Sequence, residues 1–180
     1  MPSFGHVHSP NVLNYYIGKG IVSVKLPGDS DYVDCGNVPT FEFLCKVTKL
    51  DHYSSRTGTK VRDFVAITQK DATLTMVLEE WTGRNLGMAF MGLPLTDSPP
   101  GEININVFSA SIIEGAVKFV GTNDFGARFT AIFPKVQITP NKAVSLIGDK
   151  WGDIDLTGDV LADPTTGFFG SVTASMIESP

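Results

Sequence analysis

From Phe41 to Thr48 the odd positions are Phe41, Phe43, Cys45 and Val47, and the even ones Glu42, Leu44, Lys46 and Thr48. A period of two is what a strand with one buried face produces. The pattern returns over 61–69, where Val61, Val65 and Ile67 oppose Arg62, Phe64, Ala66 and Thr68. It returns again over 72–80, where Leu74, Met76 and Leu78 oppose Thr73, Thr75 and Glu79. Further strands are predicted over 17–26, 32–38, 103–108, 116–120, 126–138, 151–161 and 168–173. Between the first two, residues 51–60 are polar and predict a hairpin loop longer than the usual two to five residues or so.

The period changes once. Leu86, Ala89, Phe90 and Leu93 stand at i, i+3, i+4 and i+7, the stripe of an amphipathic helix. Thr82 is a good N-cap, and Gly92 followed by Pro94 is a good stop. Gly83 and Gly87 each weaken such a helix by about 1 kcal/mol relative to Ala, so packing on a sheet must hold it. Pro27-Gly28-Asp29-Ser30 reads as a turn, because Pro presets φ and Gly accepts a positive one. Many strands and one helix predict a mainly β fold, a β-sandwich or barrel with one flanking helix, a long hairpin loop and extended terminal arms. Residues 1–14 lack periodicity and are read as an N-terminal arm, 15–173 as one β domain and 174–180 as a C-terminal tail.

Composition narrows the function. The 180 residues carry a net charge of −5, and 18 % are charged, below the roughly 25 % of ordinary soluble domains. An acidic chain lacks the basic footprint that tight nucleic-acid binding needs. A poorly charged surface suits a protein covered by neighbours. The first 14 residues have no basic, apolar secretory pattern, and no run of about 18 apolar residues predicts a membrane span. Synthesis in a reducing cytoplasm is expected, with Cys35 and Cys45 as buried free thiols.

No constellation of residues calls for chemistry. Asp51, His52, Ser54 and Ser55 hold the residue types of a hydrolase, yet all lie in one loop without the rigid scaffold a triad needs. His6, His8 and His52 have no metal-ligand spacing. Asp149, Asp153, Asp155, Asp159 and Asp163 lack the order of a calcium loop, and alternation explains the middle three as the polar face of a strand. Gly18-Lys19-Gly20 is a joint, not a dinucleotide loop, since no helix pattern follows. Trp81 and Trp151 are expected to anchor the core first and an interface second. Neither an enzyme nor a cofactor is predicted.

The ordered set of short segments resembles a known family. Asn14-Tyr15-Tyr16-Ile17-Gly18-Lys19-Gly20 opens the domain, and Gly36-Asn37-Val38-Pro39 leads into Phe41-Glu42-Phe43. Leu50-Asp51-His52-Tyr53-Ser54-Ser55-Arg56-Thr57-Gly58, Glu79-Glu80-Trp81-Thr82, Phe133-Pro134-Lys135-Val136 and Ile147-Gly148-Asp149-Lys150-Trp151-Gly152 follow. From Asn14 to Phe169 the chain is similar to the tail tube protein, or major tail protein, of long-tailed non-contractile bacteriophages. The resemblance implies a virion structural subunit that forms hexameric rings stacked into a tube. Its partners would be copies of itself and tape-measure, tail-tip and tail-terminator proteins, with DNA passing through the lumen without specific binding. It also implies an inter-ring loop, here Asp51, His52, Ser54, Ser55, Arg56 and Lys60. The lumen wall would be either Glu42, Lys46 and Thr48 or the acidic set Asp153, Asp155 and Asp159. Two alternatives stand beside it: a tube-forming protein of a bacterial secretion or contractile injection machine, and a small β-barrel ligand-binding module.

Overall fold

A computed structural model describes residues 15–92 and 100–175. The expected arm 1–14 and the chain beyond 175 lie outside the described residues. The elements run β1 (Gly20–Lys25), β2 (Val33–Asp34), β3 (Thr40–Ser54), β4 (Val61–Leu78), α1 (Gly83–Ala89), β5 (Ile113–Gly121), β6 (Arg128–Pro140), β7 (Ile154–Val160) and β8 (Ser171–Ser175). The mainly β class with one flanking helix is as the periodicity predicts. All eight strands join one antiparallel sheet that is not closed, in the order β2-β1-β5-β6-β7-β4-β3, with β8 beside β6.

The connection between β2 and β3 determines the shape of that sheet. The two are its opposite edges, yet residues 35–39 alone join them. Seven strands laid flat would span about 29 Å at 4.8 Å per gap. From Asp34 to Thr40 the chain reaches about 21 Å at most. The sheet must therefore roll. Its rolled interior brings β3 against strands far from it in the order: Phe41 stacks on Phe119 with ring centroids 5.4 Å apart, and Phe43 lies 4.6 Å from Phe133.

Strand pairing shows which face went inside. Phe43, Leu74, Gly158, Ile138 and Ile113 form one row across β3, β4, β7, β6 and β5. Phe41, Met76 and Leu156 form the row beside it. Leu74, Met76, Leu156, Ile138 and Phe133 are buried, with Val22, Val24 and Val117 closing the core from β1 and β5. Gly158 is required in its row, because a Cβ there would stand 2.5 Å from Val136 and 2.9 Å from Leu74.

The helix is held as its glycines require. The Thr82 hydroxyl accepts from the Asn85 N–H at 3.2 Å, the predicted N-cap. Met88 and Ala89 enter the core, and α1 packs on β6 and β7. Buried Asn85 donates to the carbonyls of Cys35 at 2.9 Å and Glu80 at 2.8 Å, fastening the 35–39 connection to the helix. Arg84 donates to Val24 O at 2.8 Å and to both carboxylate oxygens of Asp29 in the predicted Pro27 turn. That guanidinium, with the Leu26 N–H, holds the Asp29 carboxyl below its ordinary range. Among the described residues no helix is long and apolar enough to cross a membrane.

Several expectations are corrected. Residues 61–69 and 72–80 belong mostly to one 18-residue strand, β4, since no turn residue separates them. Residues 103–108 form turns with an isolated bridge, not a strand. Cys35 is buried as expected, and burial pushes its thiol pKa up to about 11. Cys45 is exposed although its partner Ala72 is buried, because it stands on β3, the edge strand of the sheet.

Two tests follow from the core. Leu74→Ala should lower the unfolding free energy by about 2–5 kcal/mol in urea, since the row around Gly158 leaves little room to collapse. At pH 8 the native protein should take up one iodoacetamide, at Cys45, and a second only when unfolded. Rapid double labelling of the folded protein, read by mass spectrometry, would contradict the placement of Cys35.

Candidate functional site

β3 and β4 pair from Thr40 opposite Val77 to Ser54 opposite Val61. Only the inner end of this hairpin lies on the core. Outward from Lys46 and Asp71, almost every residue to the tip is exposed. The chain is still rich in strand formers there, which keeps the pairing intact. Val47, Leu50, Tyr53, Val61, Phe64, Val65 and Ile67 all stand in solvent, Leu50 and Phe64 each at 64 % exposure.

Both faces of this ribbon carry apolar residues. On one, Leu50 pairs with Ala66 and His52 with Phe64; on the other, Lys49 pairs with Ile67 and Asp51 with Val65. Cross-strand charges knit the outer part: Arg62 Nη1 lies 3.3 Å from Asp51 Oδ2, and His52 Nδ1 2.6 Å from Asp63 Oδ1. The bond to His52 holds the Asp63 carboxyl below its ordinary range. Register shifts at Thr48/Lys49 and His52/Tyr53 mark two bulges, devices that twist an edge and limit indiscriminate pairing. A two-stranded ribbon is marginal by itself in water. One that shows apolar residues on both faces marks a surface meant for a partner.

The loop of this hairpin is shorter than the sequence predicts. Asp51, His52 and Ser54 are strand residues, and the connection is residues 55–60 only. Ser55, Arg56 and Lys60 remain in it, exposed. The polarity of 51–54 arises from cross-strand ion pairs, which composition alone reads as loop. The Ser54 hydroxyl accepts from the Arg56 N–H at 3.4 Å, while the His52 Nδ1 faces Asp63.

Glu42, Lys46 and Thr48 share one sheet face, opposite the core, with Asp159 of the acidic set. Glu42 pairs with Thr75, Thr75 with Thr157 and Thr157 with Thr139. In the next row Leu44, Thr73, Asp159, Gln137 and Glu114 align, and Lys46 pairs with Asp71 beyond them. Thr48 follows on the ribbon opposite Gln69. Four carboxylates (Glu42, Asp71, Glu114, Asp159) stand here against two ammonium groups (Lys46, Lys135), with hydroxyls and amides between.

The acidic set itself does not form one solvated face. Asp159 is exposed on β7, but Asp153 precedes the strand. Asp155 is buried: Asn141 Nδ2 donates to its Oδ1 at 2.9 Å, and Lys142 Nζ lies 2.5 Å from its Oδ2. That carboxylate pushes the Lys142 pKa up. The 141–142 segment covers this end of the row, an event invisible to alternation. Trp151 is likewise corrected: it is 95 % exposed, whereas Trp81 packs on the core and donates from Nε1 to Gly152 O at 3.1 Å. Among the described residues no group of three His, Cys, Asp or Glu side chains is placed to hold a metal ion.

Residues 15–117 and 96–172 match a family described as protein of unknown function UCP028589. The chain belongs to this family. No curated protein matches the chain. Solved structures that contain a similar chain include the following three. One is the sheath–tube complex of an extracellular contractile injection system, PVC, in the extended state, with 12 % identity over 90 % of this chain and 91 % of that one and a TM-score of 0.45. The second is the sheath/tube terminator of the PVC system, with 11 % identity, 93 % and 99 % coverage and a TM-score of 0.47. The third is the baseplate of the anti-feeding prophage, with 8 % identity, 84 % and 92 % coverage and a TM-score of 0.42. Likeness at this level identifies neither a partner nor an activity for the family member described here.

The corrected burial separates two aspartates. Asp155→Ala removes a buried carboxylate together with its bonds to Asn141 and Lys142 and should cost about 1–3 kcal/mol of stability. Asp159→Ala, on an open face, should stay within about 0.5 kcal/mol of the parent. Equal urea midpoints for the two variants would count against the burial of Asp155.

Proposed function

We propose that this protein is the structural subunit of a phage tail tube, assembling as hexameric rings that stack around a lumen through which the viral genome passes. The observation that carries the reading is the uncovered β3–β4 ribbon. Fully burying one of its larger apolar side chains is worth about 1.5–3 kcal/mol, so covering half a dozen amounts to gross stabilisation of order 10 kcal/mol. That is enough to offset an association cost of about 4–15 kcal/mol only when a neighbour covers much of the ribbon. A ring does this repeatedly. Each subunit lends its ribbon to the next, and the long edge of β3 finds a pairing partner. The ordered sequence resemblance to tail tube proteins supports the same conclusion.

The polar sheet face supplies a suitable lumen wall. Lys and Arg in a periodic wall would hold phosphates through counterion release at every subunit. The face of Glu42, Thr73, Thr75, Thr157 and Asp159 offers hydroxyls and a small excess of carboxylates instead, so DNA would slide without being held. Its role would be structural rather than catalytic, with no cofactor. Tape-measure, tail-tip and terminator proteins would be the partners at the tube's start and ends. A contractile injection machine could use the same subunit. A sheath gene beside it would assign it there, and a tape-measure gene without a sheath gene to a non-contractile tail.

Electron microscopy of the purified protein at rising concentration tests the reading, with rings or tubes the expected result. Replacing Leu50 and Phe64 by Ser should leave the thermal midpoint within a few degrees and abolish those particles. A parent protein that remains a monomer under all conditions, and is missing from the particles of its source, would sink the proposal.

A further inference from the structure

Three carboxylates gather where β2 gives way to β3. Asp34 Oδ1 accepts from the Gly36 N–H at 2.9 Å, Glu80 Oε1 accepts from the Asn37 N–H at 3.1 Å, and Glu79 accepts from the Asn37 side-chain amide. Gly36 has φ +80° and a bare Cα, against which the Glu80 carboxylate lies. All three acids are exposed, and none forms an ion pair among the described residues. They are too widely set to chelate a metal ion. Their unused lone pairs suit an extended organic cation.

Glu79 and Glu80 open into a cleft of about 460 Å³ walled by Trp81 and Trp151. Trp81 is fixed in place, since Gly152 presses so closely on its ring that a Cβ would stand 2.5 Å away. Trp151 projects almost wholly into solvent. Indole faces beside carboxylates are the surroundings that favour a guanidinium or ammonium group: the acids meet its charge, and the rings meet its face.

The ribbon tip carries such groups. Arg56 and Lys60 are exposed in the 55–60 loop, and neither is ion-paired among the described residues. They cannot reach the cleft of their own chain. The tip adjoins Val61 and the cleft adjoins Leu78, opposite ends of one 18-residue strand that spans up to about 55 Å. Resting on the tube reading, we propose that the hairpin tip of one copy seats Arg56, flanked by Lys60, in the Glu79–Glu80–Trp81–Trp151 cleft of a second copy. Such a contact joins unlike surfaces from opposite ends of the subunit. A contact of this kind builds an axial stack wherever its rotation does not close, and under the tube reading that is the link between rings.

The chain has two tryptophans, and both line the cleft, so their emission reports its occupancy. With rising concentration the parent should associate in sedimentation velocity while its emission shifts to shorter wavelength. R56E/K60E, changed only in an exposed loop, should fold normally, associate about tenfold or more weakly and show no shift at the same concentration. W151A, altered at a side chain that is almost wholly exposed, should weaken association similarly. Adding E79R/E80R to R56E/K60E should restore it. If the parent forms stacked rings while R56E/K60E and W151A stack equally well and the parent's emission does not change, the cleft assignment is overturned and the tube reading stands. If the parent never associates and its emission never moves, both are overturned.

Discussion

Asp34 and Thr40 stand on opposite edges of a seven-strand path and are joined by five residues. That tether is shorter than the flat sheet is wide, and the rest of the molecule follows from it. A sheet forced to roll acquires an inside, and the face carrying Leu74, Met76, Leu156 and Ile138 takes it. Rolling also brings the start of β3 onto β5 and β6, through Phe41 on Phe119 and Phe43 on Phe133. The helix then closes against the same interior, with Asn85 bonded to the tether itself. Loss of this connection would leave an open sheet with half its apolar face in water.

The roll also limits the core. It encloses β4 from Ala72 to Leu78 and leaves the preceding eleven residues outside. Strand propensity and cross-strand pairs continue the hairpin past the point where burial ends, so the ribbon is a strand by local chemistry without being part of the domain's interior. An apolar projection of this kind has no stable reason to exist in a solitary subunit. The polar Thr- and Asp-bearing face behind it is the other half of the same design: it needs no cover, and under the tube reading it would meet only water and passing DNA.

The two ends of β4 also differ in charge. Arg56 and Lys60 stand beyond one end, and Asp34, Glu79 and Glu80 beyond the other. A subunit with such polarity along one strand is suited to head-to-tail repetition, in which register is chosen by charge and affinity comes from the apolar ribbon.

The sequence by itself determined most of the strands, the Thr82-capped helix and the alternating faces, because these depend on side chains within a few positions of each other. It also carried a sign of the ribbon: Leu44, Leu50 and Phe64 break the polar side of the alternation, as a strand covered on neither face by its own domain allows. Where that ribbon leaves the core, that Asp51 to Ser54 are paired strand rather than loop, and that Asp155 is buried under Asn141 and Lys142 depended on contacts between residues distant in sequence. So did the meeting of Glu79 and Glu80 with Trp151, some seventy positions away. Alternation tells two faces apart; only the rolled sheet decided which face, and how much of each strand, would be inside.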